Sequence, residues 1–222
     1  MNGNLFVLEG IDGSGKTTQY TNLLARAEKD GFAVTGTTFP NYESPSGRLI
    51  TQYLSGAFGS HPEDVNAYAA ASFYAVDRYA SFKTDPWGET IRNGGTVLSA
   101  RYTTSNAVHQ ASKLPPEQWP AFFRWLADYE YGLLGLPRPK AVFYLDIPVE
   151  VSVAMTAARE QNAGTIRDIH ELDTTYLRRC AAAAEAAADF FGWTRIPVTD
   201  GGQMRSIEEI NDELYRSIRA RA

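Results

Sequence analysis

An α/β fold, a five-stranded parallel sheet wrapped by helices on both faces, is predicted by three features of the sequence. Short apolar runs of strand length alternate with longer stretches of helical periodicity, the order that builds crossover units. No repeat, low-complexity tract or linker interrupts that order across the 222 residues, so one domain is expected. Hydrophobic residues make up 44% of the chain, enough for a sizeable core.

The elements follow in order. Leu5-Phe6-Val7-Leu8 reads as a buried strand feeding a tight turn at Glu9-Gly10. Helical periodicity from about 16 to 30 turns Leu23, Leu24 and Ala27 inward and closes at Gly31. A second strand covers 33–39 and stops at Pro40. Ile50, Tyr53 and Leu54 share one face of a helix ending at Gly56. Ser60-His61-Pro62-Glu63 offers a cap with proline and acid in the first turn of a long helix to about Phe82. Strands at 96–99 and 141–146 bracket two helices separated at Pro115-Pro116. A helix from about 149 to 158 leads into a polar, glycine-containing loop at 161–165. An alanine-rich helix from 168 to about 191, a fifth strand at 194–198 and a last helix opened by Ser206 complete the chain.

Composition narrows the function. Aromatics at 12% argue against disorder, and no apolar run approaches the roughly 18 residues of a membrane span. Met1-Asn2-Gly3-Asn4 lacks the basic, apolar start of a signal peptide, and the single Cys180 suits a reducing compartment, so a cytoplasmic location is expected. Cys180 itself reads as a small buried hydrophobe. A net charge of −5 gives no basic field for nucleic acid. His61, His109 and His170 show no metal-ligand spacing.

Gly10-Ile11-Asp12-Gly13-Ser14-Gly15-Lys16-Thr17 matches G-x-x-x-x-G-K-[ST] without a mismatch, between a predicted strand and a predicted helix. Gly10, Gly13 and Gly15 let backbone N–H groups curl around phosphate oxygens, while Ser14 and Thr18 complete the cradle. Lys16 would bridge the β- and γ-phosphates of ATP, and the Thr17 hydroxyl would ligate Mg²⁺. This is a P-loop NTPase signature, which fixes the phosphate donor but not the reaction.

Further along, Phe39-Pro40 follows the second strand, Phe73-Tyr74-Ala75-Val76-Asp77-Arg78 lies on a helix, and Arg101-Tyr102-Thr103-Thr104-Ser105-Asn106-Ala107-Val108-His109-Gln110 follows the third strand. Leu145-Asp146-Ile147-Pro148-Val149-Glu150 and Arg167-Asp168-Ile169-His170-Glu171 come later. With the phosphate loop, these segments resemble the thymidylate kinases over nearly the whole length. Tyr74 and Arg78, four apart, can present a stacking ring and a cation to one nucleotide. Ser105, Asn106 and Gln110 lie about one helical turn apart and could meet a pyrimidine edge.

The resemblance implies phosphorylation of thymidine 5′-monophosphate (dTMP) by ATP with Mg²⁺, in a homodimer. It places Phe39, Pro40 and Tyr74 at the nucleoside and Arg78 and Arg101 on the acceptor phosphate. It also implies a lid at about 159–167. The phosphate loop carries no arginine, so Arg159 or Arg167 would supply the transition-state cation, with Lys16, Arg101 and Asp12 completing the catalytic set. Thr199-Asp200-Gly201 falls where these kinases pass the adenine. Three positions depart from the family pattern. Ala100 stands where aspartate is usual, Tyr74 replaces phenylalanine, and His109 replaces tyrosine near the sugar. A kinase of another (deoxy)nucleotide or nucleoside, or a nucleotide-binding homologue impaired by Ala100, are the alternatives.

Overall fold

The most apolar run lies at the centre of the sheet. In the computed structural model, which describes residues 3–155 and 174–222, Leu5 to Leu8 belong to β1 (Asn4–Glu9) and are fully buried. Strands β3 (Thr96–Ala100) and β4 (Ala141–Asp146) pair with it in parallel, setting Leu5 against Val97 and Phe6 against Ala141. The edge positions fall to β2 (Val34–Thr38) and β5 (Thr194–Pro197), giving the order β2-β3-β1-β4-β5. Central strands covered on both faces need continuous apolar runs, and the edges tolerate their threonines and Arg195.

Helices α1 (Lys16–Lys29), α2 (Gly47–Leu54), α3 (Ala67–Thr84), α4 (Pro86–Arg92), α5 (Thr103–His109) and α6 (Trp119–Ala127) come first. Helical residues 149–155 (α7), then α8 (Thr174–Phe191) and α9 (Ile207–Arg219), complete the set. Leu23 and Ala27 of α1 are buried as expected, and Leu24 is half-buried against the core. The inner face of α8 is Cys180, Ala183, Ala184, Ala187 and Ala188, all buried, and small residues let it approach α5 and α6 closely. Burial pushes the Cys180 thiol up to about 11, so it packs as a small hydrophobe. No described helix is long and apolar enough to cross a membrane.

Two local structures differ from the sequence expectation. The long third helix starts at Ala67, not at the Ser60–Glu63 cap: Pro62–Asp64 closes a separate 3₁₀ turn, Asp64 accepting from His61 N–H at 3.0 Å. Val65 is extended, and Asn66 caps α3 by accepting from Ala69 N–H at 2.9 Å. After α6 the chain widens into a π-helix over Asp128–Leu133, which turns Glu130 wholly inward. Thr199–Asp200 pairs with Gln203–Met204 in a two-residue hairpin. The rest of the 149–158 helix, the 161–165 loop and residues 168–173 lie outside the described residues.

Ser206 and Glu209 form a reciprocal capping box at the start of α9. Ser206→Ala is expected to lower stability by about 1 kcal/mol in a denaturant titration.

Candidate active site

The loop from 10 to 17 joins β1 to α1 and carries no side chain that competes for the helix end. The N-cap of α1 is Gly15 at φ 85°, with no side-chain cap and no acid in the first turn. The first N–H groups and the positive end of the helix dipole therefore point outward for an anion. Gly13 is also left-handed, at φ 78°, and a Cβ at Gly10 would come within 2.5 Å of Ser14 Oγ. Lys16 Nζ donates to Gly10 O at 2.6 Å and Ile11 O at 2.8 Å, so the ammonium rests on the loop's own carbonyls. Thr17 and Thr18 are exposed at the cleft. The buried Ser152 of α7 donates to Asp12 O and ties that helix to the loop.

Arg101 joins two clefts. It follows β3 at φ 65°, a conformation rare for residues with side chains, and its N–H donates to Leu8 O at 3.1 Å. Its Nη2 donates to Asp12 Oδ1 at 2.5 Å and its Nη1 to His109 Nε2 at 3.0 Å. Guanidinium only donates, so Nε2 accepts and the imidazole proton sits on Nδ1. Burial alone would raise the Asp12 carboxyl, but the charges of Arg101 and Lys16 outweigh it and hold it well below the usual carboxylate range. One cleft is walled by residues 12–18 with Thr38, Ala100, Arg101 and Met155. The other shares only Asp12 and Arg101 with it.

That second cleft is open to solvent and has about 610 Å³ of empty volume, the solvent at its mouth included. Phe39, Pro40, Tyr74, Arg78, Arg101, Ser105, Asn106 and Gln110 all line it, drawn from the ends of β2 and β3 and from α3 and α5. Phe39-Pro40 is a cis peptide. Tyr74 stands half-buried with its ring edge-on to Tyr53, 6.5 Å away. Gln110 is buried, and its Oε1 has no hydrogen-bond partner among the described residues. Ser105 donates its hydroxyl proton to Glu9 at 2.7 Å, so it faces the cleft as an acceptor.

Arg78 does not enter the cleft as an unpaired cation. Its Nε and Nη2 donate to the two Glu130 oxygens at 2.7 and 2.6 Å, and both side chains are almost wholly buried. Burial opposes the charge, but Glu130 more than compensates and raises the Arg78 pKa. The expected phosphate fork at this position therefore arrives with its charge already offset.

Sequence reasoning missed Glu130, because only the π-helix turns it inward, and Tyr42, which projects into the cleft from the loop after β2. It also missed Asp77, a buried carboxylate one residue before Arg78. Asp77 accepts from Asn41 N–H at 2.9 Å, Ser44 Oγ at 3.0 Å and Ser46 Oγ at 2.8 Å. It thereby pins the loop that carries Phe39, Pro40 and Tyr42. Ala100 lines the phosphate cleft, and the neighbouring Ser99 hydroxyl is engaged on Arg101 O at 2.5 Å. Glu9 is buried and already accepts from Gly10 N–H, Thr104 Oγ1 and Ser105 Oγ. Arg159, Arg167 and Glu171 lie outside the described residues.

The family model described as Thymidylate kinase matches residues 8–197. The thymidylate kinase of Mycobacterium tuberculosis is 31% identical over 192 residues, covering 85% of this chain and 87% of the relative. That of Caenorhabditis elegans is 27% identical, covering 97% and 91%. The solved thymidylate kinase of Candida albicans superposes with a TM-score of 0.73 over 99% of this chain and 92% of its own; at 20% identity it shows the shared fold. The chain belongs to the thymidylate kinase family, with its P-loop NTPase fold, and is a nucleoside monophosphate kinase.

Asp77→Ala strips three donors of a charged acceptor, each such bond being worth about 1.5–3 kcal/mol. The expected result is a lower unfolding midpoint and a higher KM for the monophosphate, with KM for ATP unchanged in steady-state kinetics.

Proposed function

We propose that this thymidylate kinase family member transfers the γ-phosphoryl group of ATP to thymidine 5′-monophosphate, giving ADP and thymidine 5′-diphosphate. The observation that carries the reading is the shared wall: Asp12 and Arg101 line both the phosphate-loop cleft and the nucleoside cleft. A nucleotide in each would bring its phosphates together at Arg101. ATP binds with its β- and γ-phosphates on the amides of Gly13, Ser14, Gly15, Lys16, Thr17 and Thr18, and Lys16 leaves the loop carbonyls to meet them. The monophosphate takes the other cleft, its base against Tyr74 and its phosphate on Arg101.

The chemistry asks little covalent work of the protein. A phosphate monoester has its second pKa near 6, so the attacking oxygen is already largely deprotonated at neutral pH. That oxygen forms the new bond to Pγ as the bond from Pγ to the β–γ bridging oxygen breaks, and the leaving charge stays on ADP. No carboxylate base is required, in keeping with a Glu9 fully engaged by three donors. Asp12 orients Arg101 until a dianion competes for the guanidinium. Arg159 or Arg167, from the lid at about 159–167, completes the positive charge around the moving group.

Mg²⁺ suits this donor set in a limited way. The exposed Thr17 hydroxyl makes no hydrogen bond among the described residues and offers a hard oxygen ligand beside the phosphate loop. Asp12 is paired, Glu9 is engaged and position 100 is alanine, so Thr17 and the nucleotide's own oxygens would hold the ion. When bound, the ion neutralises charge on the β- and γ-oxygens.

The proposal extends to a cytoplasmic homodimer of one domain, acting on small nucleotides and not on nucleic acid or membranes. A net charge of −5 and the exposed Tyr68, Val76 and Tyr79 on α3 support it.

A coupled ADP-release assay over a panel of monophosphates should find dTMP the best acceptor. Faster turnover of another monophosphate would overturn the substrate, and nucleotide binding without turnover would overturn the activity. Arg101→Ala should lower kcat/KM about 10²–10³-fold, as loss of one charge-stabilising donor does.

A further inference from the structure

We propose that Glu130, a residue outside the nucleoside cleft, is the positioning residue that sets which pyrimidine the cleft accepts. The inference rests on the thymidylate reading and deepens it. Four donors converge on this one buried carboxylate. Arg78 Nη2 and Asn106 Nδ2 reach Oε1 at 2.6 and 3.1 Å, while Arg78 Nε and Thr103 Oγ1 reach Oε2, each at 2.7 Å. The Tyr102 ring, 6.0 Å from the Arg78 guanidinium carbon, backs the pair.

The consequence is an ordered pattern of polar atoms at the cleft. Asn106 Nδ2 also donates to Ala71 O at 3.1 Å. A backbone carbonyl and a carboxylate can only accept, so both must face the amide nitrogen, and the Asn106 amide has one allowed orientation. Both Nδ2 protons are engaged, and the atom left for a ligand is the acceptor Oδ1. Arg78 has only donors to give, and its Nη1 stands outside the pair with Glu130. Both residues line the cleft and meet at the same carboxylate oxygen, so a donor stands beside an acceptor. That order complements a pyrimidine with a 4-carbonyl next to an N3–H, as in thymine and uracil. It opposes cytosine, which presents a 4-amino group next to a bare N3. Glu130 writes this order because it consumes the donors of both residues on their far side.

Replacing Glu130 by its isosteric amide would break the order. In Glu130→Gln one oxygen becomes an N–H₂ group. If it faces Asn106, the asparagine must turn its own oxygen inward and present Nδ2 to the cleft. If it faces Arg78 Nε, the guanidinium is displaced. Glu130 is not among the described residues that line the phosphate-loop cleft.

Steady-state kinetics on Glu130→Gln with dTMP, dUMP and dCMP as acceptors tests this. The wild type should favour dTMP and dUMP over dCMP by about 100-fold or more in kcat/KM, as sites with buried polar readers do. The variant should lose that keto-over-amino ratio by about tenfold or more, with KM for ATP unchanged. A ratio that survives while every acceptor weakens in proportion would make Glu130 a merely structural residue and overturn the inference. The double variant Arg78→Gln/Glu130→Gln leaves no buried charge unpaired and must lose the ratio as well, so misfolding of the single variant leaves the test intact. Failure of the thymidylate reading shows separately. A wild type that prefers dUMP to dTMP would refute that substrate while keeping the keto preference, whereas a wild type that favours dCMP would refute both.

Discussion

The pair between Arg101 and Asp12 is the constraint on which the rest of the site depends. Asp12 belongs to the phosphate loop and Arg101 to the end of β3, and the 2.5 Å contact between them closes the gap between two clefts. Parallel pairing of β1 with β3 sets these chain ends side by side, with Leu8 opposite Ala100 and accepting from Arg101 N–H. The left-handed backbone at Arg101 turns its side chain over the junction, and Asp12 and His109 hold it there. An arginine is suited to this place because its fork can exchange a carboxylate for a phosphate without losing geometry. On the proposed reading the pair is a resting state that a dianionic ligand would replace.

Around that junction, buried carboxylates do the organising. Glu9 holds the start of α5 through Thr104 and Ser105, Asp77 holds the loop after β2, and Glu130 holds Arg78 and Asn106. Each is wholly buried and satisfied by several donors, the condition under which a buried charge is tolerated. None is left over as a proton acceptor. A reaction whose nucleophile is already ionised needs none, and in the proposed transfer cations and backbone amides would carry the chemistry. The alanine at position 100 fits the same pattern, since a metal here would lean on Thr17 and the nucleotide.

Much of this was legible because it is local. The phosphate loop is a contiguous run whose glycines, lysine and threonine state their own geometry. The five parallel strands and their flanking helices followed from the alternation of apolar runs with helical periodicity, whereas their order in the sheet did not. Phe39, Tyr74, Arg78, Arg101 and Asn106 were readable as residue types at motif spacing, and they line one cleft. What remained hidden is directional and non-local. Spacing cannot say that Arg78 turns its charge onto Glu130, 52 positions away, or that both Asn106 protons are engaged. Nor does a helical pattern announce the π-helix that swings Glu130 inward, because one extra residue in the turn leaves the apolar spacing nearly unchanged. The false start of α3 has a related cause. Ser60 to Glu63 has the composition of a cap, and Asn66 wins because Val65 is extended ahead of it.

The central claim is that two nucleotides meet at Arg101 across one continuous surface. Calorimetric titration with a dinucleoside polyphosphate, adenosine and thymidine joined through their 5′-phosphates, tests it most directly. Two clefts that open onto one junction predict binding at least about 100-fold tighter than either nucleotide alone, because the second half binds at the effective concentration set by the first. Arg101→Ala should abolish most of that gain. Affinity no better than that of the tighter single nucleotide would contradict the account.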